Sequence, residues 1–300
     1  DAAGVVAAVG ADVSDLSVGD EVWSYIRPAF DMKEEHPESA DEKIDATTGG
    51  YAEYVVVKAW KVSKKPASLS FEAAASVPLA GLTAWQSIFT EGKGKKGETV
   101  LILAASGGVG SFGVQMAKAK GLTVIGTCSA RNIEYVKGLG ADRVVDYSVE
   151  GGVAKALEGT NVDLVFDCVG GDNTKEGIKA LKKGGRIVSI ANYGLAGLLE
   201  AEPAERELTG ANILVRPSRE NLDEMGAMFD AGSMKTPQLT LVPLELASNA
   251  FDFLQTQRTV GKIVVTTKFS TAAGAVTEAD AAEETKGAEA GGAAPAEPAT

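Results

Sequence analysis

Apolar and polar positions follow two different rhythms on the two sides of Ser70. Before it, short apolar or alternating runs lie between turn residues, a pattern typical of an all-β, barrel-like unit. The runs that predict strands are residues 4–9, 18–23 and 51–57. Residues 28–50, between the last two runs, are polar and charged, which indicates a long surface loop.

From Ser70 onwards, wholly apolar runs alternate with helical ones. Ser70 and the alanine-rich run behind it predict a short capped helix. Strands are predicted at residues 100–104, 123–127, 143–145, 162–167 and 186–190, and helices at residues 109–120, 133–139 and 173–181. Repeated βα units with apolar strands indicate an α/β fold, a doubly wound parallel sheet with helices on both faces. A last apolar run, residues 261–265, predicts a strand that returns to the first unit.

The chain ends in a segment without a helical or strand pattern. Residues 271–300 hold twelve alanines and six acidic residues against Lys286, with almost no large apolar side chains. This composition predicts a disordered acidic tail; the alternative is a weak Ala/Glu helix that docks on a partner. The predicted division is a first domain at 1–75, an α/β domain at 76–240, a return to the first domain at 241–270, and the tail at 271–300.

Composition and charge exclude several classes of protein. The formal net charge of −12 argues against a surface for nucleic acid or anionic membranes. The longest apolar runs are too short to cross a bilayer. Two cysteines, Cys128 and Cys168, and one histidine, His36, are too few for a disulfide framework or a multi-histidine metal site.

The strongest chemical signal is a glycine loop between a predicted strand and a predicted helix. A dinucleotide needs backbone that approaches its pyrophosphate and a helix N-terminus that presents free N–H groups. Gly107 fits the close approach, Gly110 fits close helix–strand packing, and Ala105 stands where the usual pattern has its first glycine. The residues predicted to hold the pyrophosphate are Ser106, Gly107, Gly108, Val109 and Gly110. The alternative is a structural βα turn without a ligand.

The end of the second α/β strand indicates which cofactor is bound. NAD sites place a carboxylate there for the ribose 2′-hydroxyl, whereas this strand is followed by Ser129, Arg131 and Asn132. A hydroxyl and a guanidinium suit a 2′-phosphate, because Arg offers it charge-assisted hydrogen bonds. NADPH is therefore predicted rather than NADH. Alternatively, Arg131 is a solvated charge that opens the next helix.

Short family motifs are spread along most of residues 1–269. They include Val18-Gly19-Asp20-Glu21-Val22, Val77-Pro78-Leu79-Ala80-Gly81, Ser106-Gly107-Gly108-Val109-Gly110, Leu139-Gly140-Ala141-Asp142 and Gly261-Lys262-Ile263-Val264-Val265. On these motifs the chain resembles the medium-chain dehydrogenase/reductase superfamily, in its zinc-independent quinone oxidoreductase and alkenal reductase branch. The resemblance implies a Rossmann domain inserted in a GroES-like β-barrel domain, with the active site between them. It also implies that the first barrel strands and part of the substrate pocket precede Asp1.

The resemblance extends the expected NADPH site beyond the glycine loop. It implies that Thr83 lies beneath the nicotinamide and Tyr147 beside the adenosine. It places six strand-end residues along the nicotinamide half, namely Cys168, Val169, Gly170, Ile190, Ala191 and Asn192. These six follow two predicted strands, at the sheet edge where open α/β sheets bind ligands. Arg258 and Lys262 are weaker candidates.

The expected reaction is zinc-independent hydride transfer from NADPH to a quinone or an α,β-unsaturated carbonyl. In zinc-dependent relatives a four-cysteine lobe falls where residues 28–50 lie, and these residues contain no cysteine. The product enolate needs a hydrogen-bond donor, which in this family is a ribose hydroxyl, a water or a tyrosine. No catalytic residue is therefore assigned. Tyr25 and Tyr51 are candidates for the cleft, and barrel packing is the alternative for both.

Two other functions fit the same residues. One is a cofactor-binding regulatory or interaction protein, which would dock through the acidic tail and the loop at 28–50. The other is an enoyl-thioester reductase, which needs a basic cleft rim for a coenzyme A or carrier phosphate. The expected partner is a small-molecule substrate, with a homodimer implied by the resemblance. Cytoplasmic and organellar locations both stay open, because targeting is not readable at Asp1.

Overall fold

Three sheets are present in the computed structural model, which describes residues 1–27, 49–148, 152–255 and 261–267. The predicted tail, most of the predicted loop at 28–50, His36 and Arg258 lie outside the described residues. In the described ranges no helix has the length and apolarity that a membrane span requires.

The first sheet is antiparallel. Its strands are β1 (Ala2–Val5), β2 (Glu21–Ser24) and β3 (Val62–Lys64), in the order β1-β2-β3. Gly19 has φ +96°, which glycine adopts at no steric cost, and the chain turns there into β2. The amide of Val6 donates to the Asp20 carbonyl over 2.9 Å and extends the β1–β2 pairing by one bond. The structure therefore has a strand near each of the first two predicted ones, but β1 begins earlier and shares only residues 4–5 with its prediction, and β2 shares residues 21–23.

The prediction of a strand at residues 51–57 is wrong. This stretch is not a strand, and Tyr54 and Val56 are 78% and 97% exposed. Alternating side chains favour a strand only where a neighbouring strand completes the hydrogen-bond ladder. Within the described ranges, no strand of the three sheets pairs with this stretch.

The second sheet has six parallel strands in the order β6-β5-β4-β7-β8-β9. They are β4 (Thr99–Leu103), β5 (Thr123–Cys128), β6 (Arg143–Asp146), β7 (Val162–Asp167), β8 (Leu181–Ser189) and β9 (Thr209–Asn212). The strand order reverses between β4 and β7, so the predicted doubly wound α/β fold is confirmed. Strand β9 was not predicted, because its residues Thr-Gly-Ala-Asn carry no apolar run.

Helices alternate with these strands as the sequence rhythm predicts. They are α1 (Phe71–Ala75), α2 (Pro78–Trp85), α3 (Gly110–Ala119), α4 (Ile133–Gly138), α5 (Gly152–Ala156), α6 (Asp172–Ala180), α7 (Leu195–Glu200), α8 (Arg219–Asp230) and α9 (Ala247–Gln255). Ser70 caps α1 as predicted, because its hydroxyl accepts a 3.2 Å hydrogen bond from the amide of Ala73.

Apolar side chains of β4 fill two cores, one on each face of the sheet. Val100 and Ile102 belong to one buried cluster, and Leu101 and Leu103 belong to the other. Successive side chains of a strand point to opposite faces, so a strand between two helical layers must be apolar throughout. Helix α3 is buried on more sides than its amphipathic pattern predicts. Even the polar residue Gln115 is only 6% exposed.

The third sheet has two strands and contains the last described segment of the chain. Strand β11 (Lys262–Thr266) pairs in parallel with β10 (Leu239–Pro243). The predicted strand at 261–265 therefore exists, with β10 as its hydrogen-bond partner, and it also contacts α1. Strand β10 crosses the predicted boundary between residues 240 and 241, and the domain division itself stays a prediction.

Candidate cofactor site

The glycine loop leaves the carboxyl end of β4 through a tight turn. Ala104 has φ +58°, uncommon for a residue with a side chain, and its carbonyl accepts a 3.0 Å hydrogen bond from Gly107. The amide of Ser111 then donates to the Gly107 carbonyl over 2.9 Å, which starts α3. A Cβ at Gly110 would lie 2.9 Å from the Cα of Ala105. Only glycine lets the helix begin this close to the strand.

Alanine at position 105 is accommodated by a glycine on the neighbouring strand. A Cβ at Gly126 of β5 would lie 2.8 Å from the Ala105 methyl. The Ala105 amide donates to the carbonyl of Thr127 over 2.8 Å, and the Ala104 amide donates to the Thr127 hydroxyl over 3.1 Å. The pair Ala105 and Gly126 thus explains the departure from the usual glycine pattern.

A lysine from β11 lies against the glycine loop. A Cβ at Gly108 would lie 3.0 Å from the Cδ of Lys262. Burial lowers the pKa of this lysine. The N–H groups in the first turn of a helix have no partner inside the helix, so α3 presents donors and a partial positive charge beside Lys262. This edge of the sheet can hold an anion.

The loop after β5 is joined to the glycine loop by one side chain. The side-chain nitrogen Nδ2 of Asn132 donates to the Ser106 hydroxyl over 3.2 Å and to the Ser129 hydroxyl over 3.4 Å. Arg131 is exposed on the short helical turn between Ser129 and Asn132. Tyr147 is half-exposed, and its backbone amide donates to the Cys128 carbonyl over 3.2 Å. The structure therefore gathers these predicted residues at one corner of the sheet.

An acid that was not among the predicted site residues also lies at this corner. Asp146 at the end of β6 accepts hydrogen bonds from the amide (2.9 Å) and the hydroxyl (2.7 Å) of Ser148. These bonds lower the pKa of Asp146, and a bond from the amide of Ala130 lowers it further. The carboxylate thus lies against the turn that carries Arg131. The sequence pattern of NAD sites places an acid only at the end of β5, whereas the parallel pairing of β5 with β6 puts Asp146 beside that end.

A buried carboxylate joins the predicted nicotinamide loops. Asp167, the last residue of β7, is fully buried, and its Oδ1 accepts from the amides of Val169 (3.0 Å) and Gly170 (2.9 Å). Its Oδ2 accepts from the hydroxyls of Thr174 (2.7 Å) and Ser189 (2.8 Å). Asp167, Thr174 and Ser189 were not predicted from the sequence, although a polar residue that ends an apolar strand was the available signal.

The second of the predicted nicotinamide loops, at residues 190–192, depends on the same group of polar side chains. The Ser189 hydroxyl accepts from the amides of Ala191 (3.2 Å) and Asn192 (3.0 Å). The Asn192 side chain donates to the Thr174 hydroxyl over 2.9 Å. Gly170 has φ +77°, and a Cβ there would lie 2.7 Å from the Ala191 carbonyl oxygen. The loops after β7 and β8 therefore touch and share one set of anchors.

Three other candidates are placed differently. Thr83 is buried in α2, where its hydroxyl donates to the Leu79 carbonyl over 2.6 Å. Tyr25 is buried, while Tyr51 is exposed and packs edge-on against Phe251 with ring centroids 5.7 Å apart.

The Cys168 thiol is a poor metal ligand in this environment. Burial, and then the negative charge of Asp167, raise the pKa of Cys168 well above its usual range. Metals bind the thiolate, which is disfavoured here. Within the described ranges, no three His, Cys, Asp or Glu residues cluster as a metal site would require.

Comparison with known proteins agrees with the fold. Residues 1–67 match the alcohol dehydrogenase GroES-like domain, and residues 139–265 match the zinc-binding dehydrogenase model. A mitochondrial NAD(P)H oxidoreductase of Danio rerio is 33% identical over 88% of this chain and 70% of its own length. A chloroplast envelope quinone oxidoreductase homolog of Arabidopsis thaliana is 32% identical over 88% of this chain and 78% of its own length.

A solved structure shows the same architecture. The Escherichia coli quinone oxidoreductase complexed with NADPH superposes with a TM-score of 0.70 at 26% identity, covering 88% of this chain and 80% of that one. The fold and the matches define an oxidoreductase with a GroES-like domain and a Rossmann sheet. The chain belongs to the medium-chain dehydrogenase/reductase superfamily, in its quinone oxidoreductase-type branch.

Proposed function

We propose that this oxidoreductase is NADPH-dependent and zinc-independent and transfers hydride to a quinone or an α,β-unsaturated carbonyl. The observation that carries the proposal is that the glycine loop and the loops anchored by Asp167 lie at the same edge of the sheet. The glycine loop after β4 and the loops anchored by Asp167 lie at the carboxyl ends of neighbouring strands, where the strand order reverses. Open α/β sheets bind their ligands at such switch points.

The residues present fit a dinucleotide. The glycine loop is free of large side chains where α3 begins, and Lys262 supplies a cation beside it for the pyrophosphate. Ser129, Arg131 and Asn132 would hold the 2′-phosphate, with Tyr147 beside the adenosine. The loops that contain residues 168–170 and 190–192 would orient the nicotinamide ring, which supplies the hydride when bound.

Zinc independence rests on the ligand chemistry of this chain. The zinc-binding dehydrogenase model covers residues 139–265, which contain one cysteine, Cys168, and no histidine. A catalytic zinc site takes three protein ligands, for which Cys, His and acidic residues are the usual donors. The raised pKa of Cys168 opposes its use as a thiolate ligand.

A cavity beside the nicotinamide loops favours an uncharged acceptor. It has a volume of about 620 Å³ and is lined by Trp60, Gln86, Asn212, Ile213, Leu214 and residues 216–221, among others. Asn212 connects it to the site, because its side chain donates to the Asn192 carbonyl over 2.5 Å. Arg216 and Arg219 line it together with Glu91 and Glu220, and Arg219 pairs with Asp15. The balanced charge supports a quinone or enone more than a thioester that carries coenzyme A phosphates.

The test measures oxidation of NADPH and NADH by a small quinone, an enone and an enoyl-coenzyme A, with a chelator as the metal control. We expect turnover with NADPH and the first two acceptors, unchanged by the chelator. Loss of activity in the chelator would overturn zinc independence. NADPH binding without turnover on any acceptor would instead favour the interaction protein. Dominant turnover of the enoyl-coenzyme A would favour the thioester reductase.

The open edge of the central sheet supports a homodimer. In the described ranges β9 is the last strand of the sheet and pairs with β8, and such an edge strand is where a second copy of the chain could pair. We propose edge-to-edge pairing of two β9 strands. Sedimentation equilibrium tests this, and a monomer at micromolar concentration would contradict it.

A further inference from the structure

We propose that Asp167 is the positioning residue that sets the geometry of the nicotinamide half of the site. The inference rests on the proposed function, because it assigns that half of the cofactor to residues 168–170 and 190–192. Asp167 is fully buried and accepts four hydrogen bonds, two from its own loop and two from hydroxyls that belong to α6 and β8. It does not need to touch the cofactor.

The four bonds divide into two pairs with different requirements. The amides of Val169 and Gly170 are fixed donors, and both bind Oδ1. They therefore require an oxygen at this position in any variant. The hydroxyls bound to Oδ2 are rotatable, yet each already accepts another hydrogen bond. Ser189 accepts two backbone amides, and Thr174 accepts the Asn192 side chain.

An asparagine cannot satisfy this arrangement. Its oxygen would have to face Val169 and Gly170, so its NH₂ group would face the two hydroxyls. A hydroxyl has one proton and two acceptor sites. Both acceptor sites of Ser189 are already used by the amides of Ala191 and Asn192. The NH₂ group would meet a filled acceptor, and the Ser189 proton would lose its acceptor. The loop at 190–192 must then move.

The same carboxylate therefore couples two loops that are far apart in sequence. The Oδ1 contacts shape the loop after β7, and the Oδ2 contacts act through Ser189 and Thr174 on the loop after β8. The loops also touch where Gly170 approaches the Ala191 carbonyl. A change at Asp167 should thus disturb the nicotinamide half and leave the glycine loop, Ser129 and Asn132 in place.

The test compares two ligands by calorimetry: NADPH, and 2′-phospho-ADP-ribose, which lacks only the nicotinamide ring. We expect Asp167→Asn to weaken NADPH about tenfold, the effect of one unsatisfied buried group, and to leave 2′-phospho-ADP-ribose unchanged. Asp163→Asn is the matched control. Asp163 is buried near the opposite end of β7, where it accepts from the Thr99 amide over 2.8 Å and pairs with Lys182. This control should preserve the affinities for both ligands.

A second variant serves if Asp167→Asn does not fold. Thr174→Val keeps the shape of the side chain but removes the hydroxyl between Asp167 and Asn192. It should weaken NADPH selectively in the same direction. Equal weakening of both ligands, no change in either, or the same selective loss in Asp163→Asn would overturn the inference. Absence of NADPH binding by the wild type would overturn it too, whereas binding without turnover contradicts only the proposed reaction.

Discussion

Asn132 donates a hydrogen bond to Ser106 over 3.2 Å and thereby ties the loop after β5 to the glycine loop after β4. Both residues are candidates for the NADPH site, at positions 26 residues apart in the chain. Because β4 and β5 are adjacent and parallel, their carboxyl ends meet at the same edge. The proposed pyrophosphate and 2′-phosphate contacts are consequently held in a fixed relationship by the protein itself.

Gly110→Ala should destabilise the protein and weaken NADPH binding. The added Cβ would meet the Ala105 backbone and push α3 away from β4. Overpacking of this kind costs about 1–3 kcal/mol, which urea unfolding resolves. Gly197→Ala is the control, because a Cβ at Gly197 of α7 has open space around it. Equal stability of Gly110→Ala and the wild type would contradict the packing role.

Arg131→Glu should weaken NADPH far more than NADH. A charge-assisted hydrogen bond to a phosphate contributes about 1.5–3 kcal/mol, so the loss for NADPH should be at least about tenfold. Lys183→Glu gives the same change of net charge at an exposed position that pairs with Glu207. If both variants bind NADPH equally well in a fluorescence titration, Arg131 is only a solvated charge.

Lys262→Met should weaken NADPH and NADH alike, because both cofactors contain the pyrophosphate. Burial lowers the pKa of Lys262, so folding disfavours the protonated amine, and the cofactor-free variant should be more stable at neutral pH. That gain should shrink as the pH rises through the lowered pKa. The folded wild type then releases the proton before the unfolded chain does, and its stability rises with pH.

Two measurements check the Lys262 prediction. Calorimetry with both nucleotides should show equal losses, and urea unfolding near neutral and alkaline pH should show the shrinking difference. A variant that is less stable at neutral pH and binds both nucleotides normally would show that Lys262 serves packing alone.

Asp146→Asn should raise the preference for NADPH over NADH, because it removes a negative charge from the turn that carries Arg131. The hydrogen bonds of Ser148 lower the pKa of Asp146, so the ionised carboxylate stabilises the fold near neutral pH. The variant should be less stable there, and the difference should disappear as the pH falls through the lowered pKa.

Asp172→Asn is the control for Asp146. Its pKa is lowered by the hydrogen bond from Lys175 on α6, so it should show the same kind of pH dependence. It should leave the ratio of NADPH to NADH affinity unchanged. A similar change of that ratio in both variants would indicate a general charge effect.

The apolar rhythm predicted most of the central sheet because each buried strand must be apolar by itself. Five of its six strands could be found this way, and Thr209–Asn212 could not, since its edge position places few demands on side chains. The stretch at 51–57 shows the opposite failure. Its alternation suits a strand, and whether a strand forms depends on a neighbour that local sequence does not describe.

By itself, the sequence determined the βα order, the glycine loop and the loop residues Ser129, Arg131 and Asn132, because each depends on neighbouring positions in the chain. Only the tertiary structure decided that Lys262 lies against Gly108, that Asp146 lies under the turn at Ala130, and that Asp167 joins the loops after β7 and β8. Parallel strands bring their carboxyl ends together from distant parts of the chain. Which polar groups then meet there depends on strand order and register, which no local pattern specifies.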